Sequence, residues 1–101
     1  MSLSGRYKAE NNDDILSHYY IVMDVKETDK SYIFILVELE SRYSASHMQQ
    51  LFSKSNRVVI RKKRGGHAIR IWSDGSFTLY PFQAGIPFYF VKQPMTAVLS
   101  Q

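Results

Sequence analysis

Three strand-like runs, Val58 to Lys63, His67 to Trp72 and Phe77 to Tyr80, follow one another with little between them except Gly65-Gly66 and Asp74-Gly75. Both dipeptides supply the positive backbone angles that tight hairpin loops need, so the segment reads as an antiparallel meander. Two further runs precede it. From His18 to Val25 the residues are β-branched and aromatic, Lys26 to Lys30 supply a polar turn, and Tyr32 to Leu39 is an almost unbroken apolar run of the kind found in strands buried on both faces. These two are expected to pair as a hairpin. Between hairpin and meander, Ala45, Met48, Leu51 and Phe52 recur at helical spacing, and Ser46 with Gln49 makes a capping-box signature. One short amphipathic helix is therefore predicted over Ser46 to Lys54. Finally, Phe88 to Lys92 alternates between Pro87 and Pro94 and fits a short edge strand, because proline cannot donate to a ladder. The expected architecture is α+β, a mostly antiparallel sheet of five to six strands with one short helix, in the order β-β-α-β-β-β-β.

The first residues are assigned differently. Residues 1–14 are polar and contain the run Asn11-Asn12-Asp13-Asp14, so they read as a flexible lead-in, leaving 15–101 as a single globular domain. An apolar share of 45% with 14% aromatic residues is enough for one core. The absence of cysteine excludes disulfides and thiolate metal sites, and makes a reducing cytoplasm the expected compartment. The longest apolar run, Ile33 to Val37, falls far short of the roughly 20 residues that cross a bilayer, so no membrane partner is expected. His18, His47 and His67 lie on separate elements with no carboxylate at a regular ligand spacing, so neither a metal nor another cofactor is expected.

Charge is distributed unevenly along the chain. Between Ser41 and Ser73 there are eight basic side chains and no carboxylate, whereas the first forty residues hold eight of the nine acids. A cationic segment of this kind points to an anionic partner, with nucleic acid the first candidate. If both glycine dipeptides form two-residue loops, Arg61 falls opposite Arg70, Trp72 opposite Phe77, and Arg70 opposite Leu79. Strand alternation then gathers Val58, Ile60, Ile69, Ile71 and Tyr80 on a core face and Arg61, Lys63, Arg70, Trp72 and Phe77 on the other. Guanidinium groups fork onto phosphate oxygens and aromatic planes stack on unpaired bases, so the second face suits nucleic acid. The site expected from this pattern comprises Arg61, Lys62, Lys63, Arg64 and Arg70 on phosphates, with Trp72 stacking. The competing arrangement packs Trp72, Phe77 and Leu79 under the helix while the arginine stems reach past them to water.

The segments Met48-Gln-Gln-Leu-Phe52, Arg61-Lys-Lys-Arg-Gly-Gly-His67, Asp74-Gly75 and Pro81-Phe-Gln83 together resemble the HicA family of small bacterial toxins. That resemblance implies a double-stranded-RNA-binding-domain-like fold and cleavage of messenger RNA, with His67 as the catalytic histidine. Gly66 stands where the family has serine, and Gln83 where it has histidine. An imidazole beside Arg61, Lys63 and Arg64 would relay a 2′-hydroxyl proton while the cations stabilise charge on phosphate.

The aromatic tail supports another class of partner. Six rings, Phe77, Tyr80, Phe82, Phe88, Tyr89 and Phe90, fall within fourteen residues, and an edge strand carrying Phe88, Tyr89 and Phe90 could pair with a second copy or with another protein. The same rings could equally fill the core. Three functions are thus expected to compete: a non-catalytic nucleic-acid-binding module, an adaptor or homodimer built on the tail, and a HicA-like ribonuclease.

Overall fold

A computed structural model of the chain describes residues 2–13, 17–41, 45–63, 68–82 and 86–94. The described residues form seven strands and one helix in the order β1 (Gly5–Asn11), β2 (Tyr19–Glu27), β3 (Ser31–Ser41), α1 (Ser46–Leu51), β4 (Arg57–Arg61), β5 (Ala68–Ile71), β6 (Phe77–Tyr80) and β7 (Phe88–Lys92). The α+β class and the antiparallel sheet are as the alternation predicts. The strands form one sheet in the order β4-β3-β2-β1-β7-β6-β5, and every neighbouring pair is antiparallel.

The strand count exceeds the expected five to six because β1 lies in the segment assigned to a lead-in. It is a central strand, paired with β2 along its whole length and with β7 on the other side. Tyr7 and Ala9 point into the core, 0% and 1% exposed, while Arg6, Lys8 and Glu10 alternate outward. The outward charges find partners on the sheet: Arg6 forks onto its register partner Asp24 at 2.8 and 3.1 Å. The Tyr7 hydroxyl donates to the Leu3 carbonyl at 2.6 Å, and Leu3 itself is buried.

The sheet curls on itself. Phe77 of β6 meets Tyr7 of β1 edge-on at 4.8 Å between centroids and stacks with Phe34 of β3 at 6.0 Å, although three strands separate β6 from β3 in the sheet order. Only a strongly bent sheet brings such strands together, and the interior it encloses is filled by Tyr7, Ile21, Met23, Phe34, Phe77, Leu79, Phe88 and Phe90. The helix lies against this core through Met48, with Ala45 and Phe52 buried on either side. The His47 ring meets Phe82, which follows β6, at 5.4 Å. The helix is shorter than Ser46 to Lys54, and the capping box does not form. Ala45 occupies the cap position without a side-chain hydrogen bond, which places Ser46 inside the first turn.

Three further expectations are corrected. The first concerns β3, which is not buried on both faces: Phe34 is enclosed, but Val37 is 47% exposed on the outer surface. Register slips at this point, with Val22 opposite Glu38 and Met23 opposite Leu36, so Val37 is the extra residue of a bulge. Leu36 and Leu39 consequently both pack on the core from positions that strict alternation would set on opposite faces.

The second is the hairpin of β4 and β5. In the structure β4 pairs with β3, through Ile33 opposite Val59 and Phe34 opposite Val58, and β5 pairs with β6. An odd number of antiparallel strands leaves the two terminal strands, β4 and β5, running in the same direction. A parallel ladder needs a crossover of about a dozen residues or more, and only residues 62–67 separate them, so no ladder joins them among the described residues. Arg61 and Arg70 are therefore not cross-strand partners.

The third is register in the hairpin of β5 and β6. The Trp72 amide donates to the Ser76 carbonyl, leaving Ser73, Asp74 and Gly75 as a three-residue loop in which Gly75 has φ +90°. Three-residue hairpin loops use a glycine of this kind at their last position. One extra loop residue shifts the pairing by one, so Arg70 stands opposite Thr78 and Ile71 opposite Phe77. Phe77 thereby turns inward and Tyr80 outward, the reverse of the expected sorting. Ile71, expected in the core, is 51% exposed.

Candidate nucleic-acid interface

The corrected register builds a different outer surface on β5, β6 and β7. Arg70 lies beside Thr78, and Thr78 lies beside Tyr89, so the three form one row across the three strands. Trp72, Tyr80 and Tyr89 are exposed by 39%, 38% and 48%, making this an aromatic surface on the convex side of the sheet. Two of its rings, Trp72 and Tyr89, are fixed by their polar ends. The Trp72 indole donates from Nε1 to Thr78 Oγ1 at 2.9 Å, and the Tyr89 hydroxyl is 3.0 Å from Ser76 Oγ. Ser76 also donates, from its amide and its hydroxyl, to Asp74 Oδ1. These two bonds to the Asp74 carboxylate hold its pKa below the ordinary value. Ser76 and Thr78 are only 2% and 8% exposed although they belong to the turn and outer row. Burial of two hydroxyl side chains at the surface follows from the rings that they anchor.

Arg70 completes the surface. Its guanidinium lies 4.4 Å from the centroid of the Trp72 ring. A guanidinium layered on an indole keeps its in-plane N–H groups available to an anion while its plane is held in place. Trp72 thus carries Arg70 on its ring, where the sequence pattern had it offering that ring directly to a base.

The remaining expected site residues are divided. Arg61 and Lys62 line a cavity of about 120 Å³ with Tyr32, Ile60 and Ile69, and Ile69 precedes Arg70 on β5. Arg61 and Arg70 consequently flank the same unladdered seam between β4 and β5, without facing each other in a ladder. Lys63 is exposed just beyond β4. Among the described residues no carboxylate pairs with Arg61, Lys63 or Arg70. Lys62 is different: its ammonium is 2.7 Å from Glu27 Oε2 and sits 5.1 Å from the Tyr32 ring centroid, so the acidic half of the chain has already neutralised it. Arg64 and His67 lie outside the described residues, as do Gly65, Gly66 and Gln83 of the HicA-like pattern.

The Lys62 hydrogen bond, followed by that from the Leu3 amide, lowers the Glu27 pKa from its ordinary 4.5. A depressed folded pKa gives stability that is complete above 4.5 and is lost as pH falls through the folded value. Urea midpoints measured from pH 7 downward should therefore fall more steeply below pH 4.5 for the wild type than for Glu27→Gln. Parallel curves would remove the ion pair from the stability account.

The tail does not behave as an edge. β7 is an interior strand of the sheet, paired with β6 over Phe88 to Phe90 and with β1 at Val91 and Lys92, where the edge-strand reading had expected a terminal strand. Phe88 and Phe90 are fully buried in the core, and of the three tail residues only Tyr89 reaches the surface. Tyr80 and Tyr89 are the surface rings that sequence reasoning left out of the site. The signal for Tyr89 is the Phe88-Tyr89-Phe90 alternation, in which the one ring with a hydroxyl marks the outward position.

Among the described residues no group of three or more His, Asp or Glu side chains could hold a metal ion. No described helix is long and apolar enough to cross a membrane. Compared with known proteins, the chain matches no family model, no curated protein and no solved structure.

Proposed function

We propose that the protein is a non-catalytic nucleic-acid-binding module whose interface is the outer face of β5, β6 and β7, extended across the seam by Arg61 and Lys63. The observation that carries this reading is the Arg70 guanidinium layered on Trp72 in the same patch as exposed Tyr89. Cations without carboxylate partners supply the phosphate attraction, and fixed rings beside them supply the planes on which bases stack. An acidic protein surface would use the cations and leave the rings unexplained.

Binding should weaken as salt rises, because each phosphate neutralised releases condensed counterions. Arg70→Ala is expected to lower affinity about ten-fold and to reduce the salt slope by roughly 0.7 to 0.9, with unfolding changed by less than about 0.5 kcal/mol. Fluorescence anisotropy against labelled RNA and DNA across a salt series measures all of this except the unfolding. Affinity that ignores salt, or that ignores Arg70→Ala, would remove the proposal.

A further inference from the structure

Resting on that reading, we infer that the ligand is unpaired, single-stranded nucleic acid, held by stacking and with little discrimination among bases. The inference comes from what the platform offers and what it has already used. The Trp72 N–H is committed to Thr78, and the Tyr89 hydroxyl is committed to Ser76. Thr78 and Ser76 are themselves buried. The polar ends of these two rings are therefore engaged within the protein, so what they present to a ligand is their faces, beside the Arg70 guanidinium.

Base faces accept such partners only when they are free. In a duplex each face is covered by the neighbouring base pair, whereas a single strand can splay its bases onto aromatic or arginine planes. Shape leads to the same conclusion. Proteins that read the major groove of a DNA duplex place a helix or a two-stranded ribbon in it. Here the platform is the convex side of a curled sheet, and the described helix has only six residues and packs on the core through Met48. Charge complementarity fits a strand lying across the platform: Arg70 stands within it, and Arg61 lies across the seam from β5, where a phosphate backbone leaving the rings would pass.

The test compares one labelled 12-mer single strand with the same sequence as a duplex, as RNA and as DNA, at about 50 mM salt. The single strand should bind at least about ten-fold more tightly, and scrambling its sequence should change affinity by less than about three-fold. Tyr89→Ala should weaken single-strand binding by about 5- to 100-fold, while Tyr89→Phe, which keeps the ring and loses only the hydroxyl, should stay within about three-fold of wild type. Thermal unfolding of each variant separates loss of the platform from loss of the fold. Equal affinity for duplex, or binding unchanged by Tyr89→Ala, overturns the inference and leaves the nucleic-acid reading standing. Absence of binding to any of the four oligonucleotides overturns both.

Discussion

Removal of residues 2–11 is expected to leave a chain that does not fold, without a cooperative unfolding transition and with collapsed amide dispersion in its NMR spectrum. β1 stands between β2 and β7, so its loss strips hydrogen-bond partners from both at once. Unpaired buried backbone groups cost about 1–3 kcal/mol each. Deletion also takes away Leu3, Tyr7 and Ala9 and opens Ile21, Met23, Phe77 and Phe90 to water. Burial of one large apolar side chain is worth about 1.5–3 kcal/mol, and the whole stability of a domain this size is about 5–15 kcal/mol. The combined loss exceeds what the domain has. A truncated chain that still unfolded cooperatively, with its midpoint lowered by only a few degrees, would show that β1 is an accessory strand and that the polar composition had been the better guide.

The elements legible in the sequence were those whose pattern is local. Six of the seven strands announce themselves by β-branched and aromatic runs, and the helix by four residues at helical spacing. β1 was hidden because its inward side consists of Gly5, Tyr7 and Ala9, one large side chain among two small ones, while the charges of its outward side dominate the composition. Those charges are tolerated because Asp24 lies across from Arg6, a partner eighteen residues away that no local window contains. Pairing across the sheet was equally hidden. That β4 would seek β3 and leave β5 is decided by how seven strands enclose one core, and closeness in sequence between β4 and β5 suggested the wrong neighbour. The site followed the same division. Arg70 and Trp72 come together on one face as the pattern predicts. Phe77 leaves that face and Tyr80 and Tyr89 join it, because one loop residue sets the parity of a strand and a second strand brings in the missing ring.

Phe77 therefore offers the sharpest measurement of that parity. Under two-residue looping it would share the outer face with Trp72 and Arg70, and Phe77→Ala would alter binding with little effect on stability. In the structure it is fully buried and touches Tyr7 at 4.8 Å, Phe90 at 5.1 Å and Phe34 at 6.0 Å, so it joins rings from three other strands. Truncating a phenylalanine in such a setting costs about 3–5 kcal/mol, because the lost transfer energy is compounded by a cavity that rigid neighbours cannot fill. Trp72→Ala, at an exposed position with one hydrogen bond and one stacked guanidinium, should cost about 1 kcal/mol or less while reducing nucleic-acid affinity. Urea unfolding of the two variants fixes the order. Should Phe77→Ala prove no more destabilising than Trp72→Ala, Phe77 would lie on the outer face as two-residue looping requires, and the platform of Arg70, Trp72 and Tyr89 would not exist.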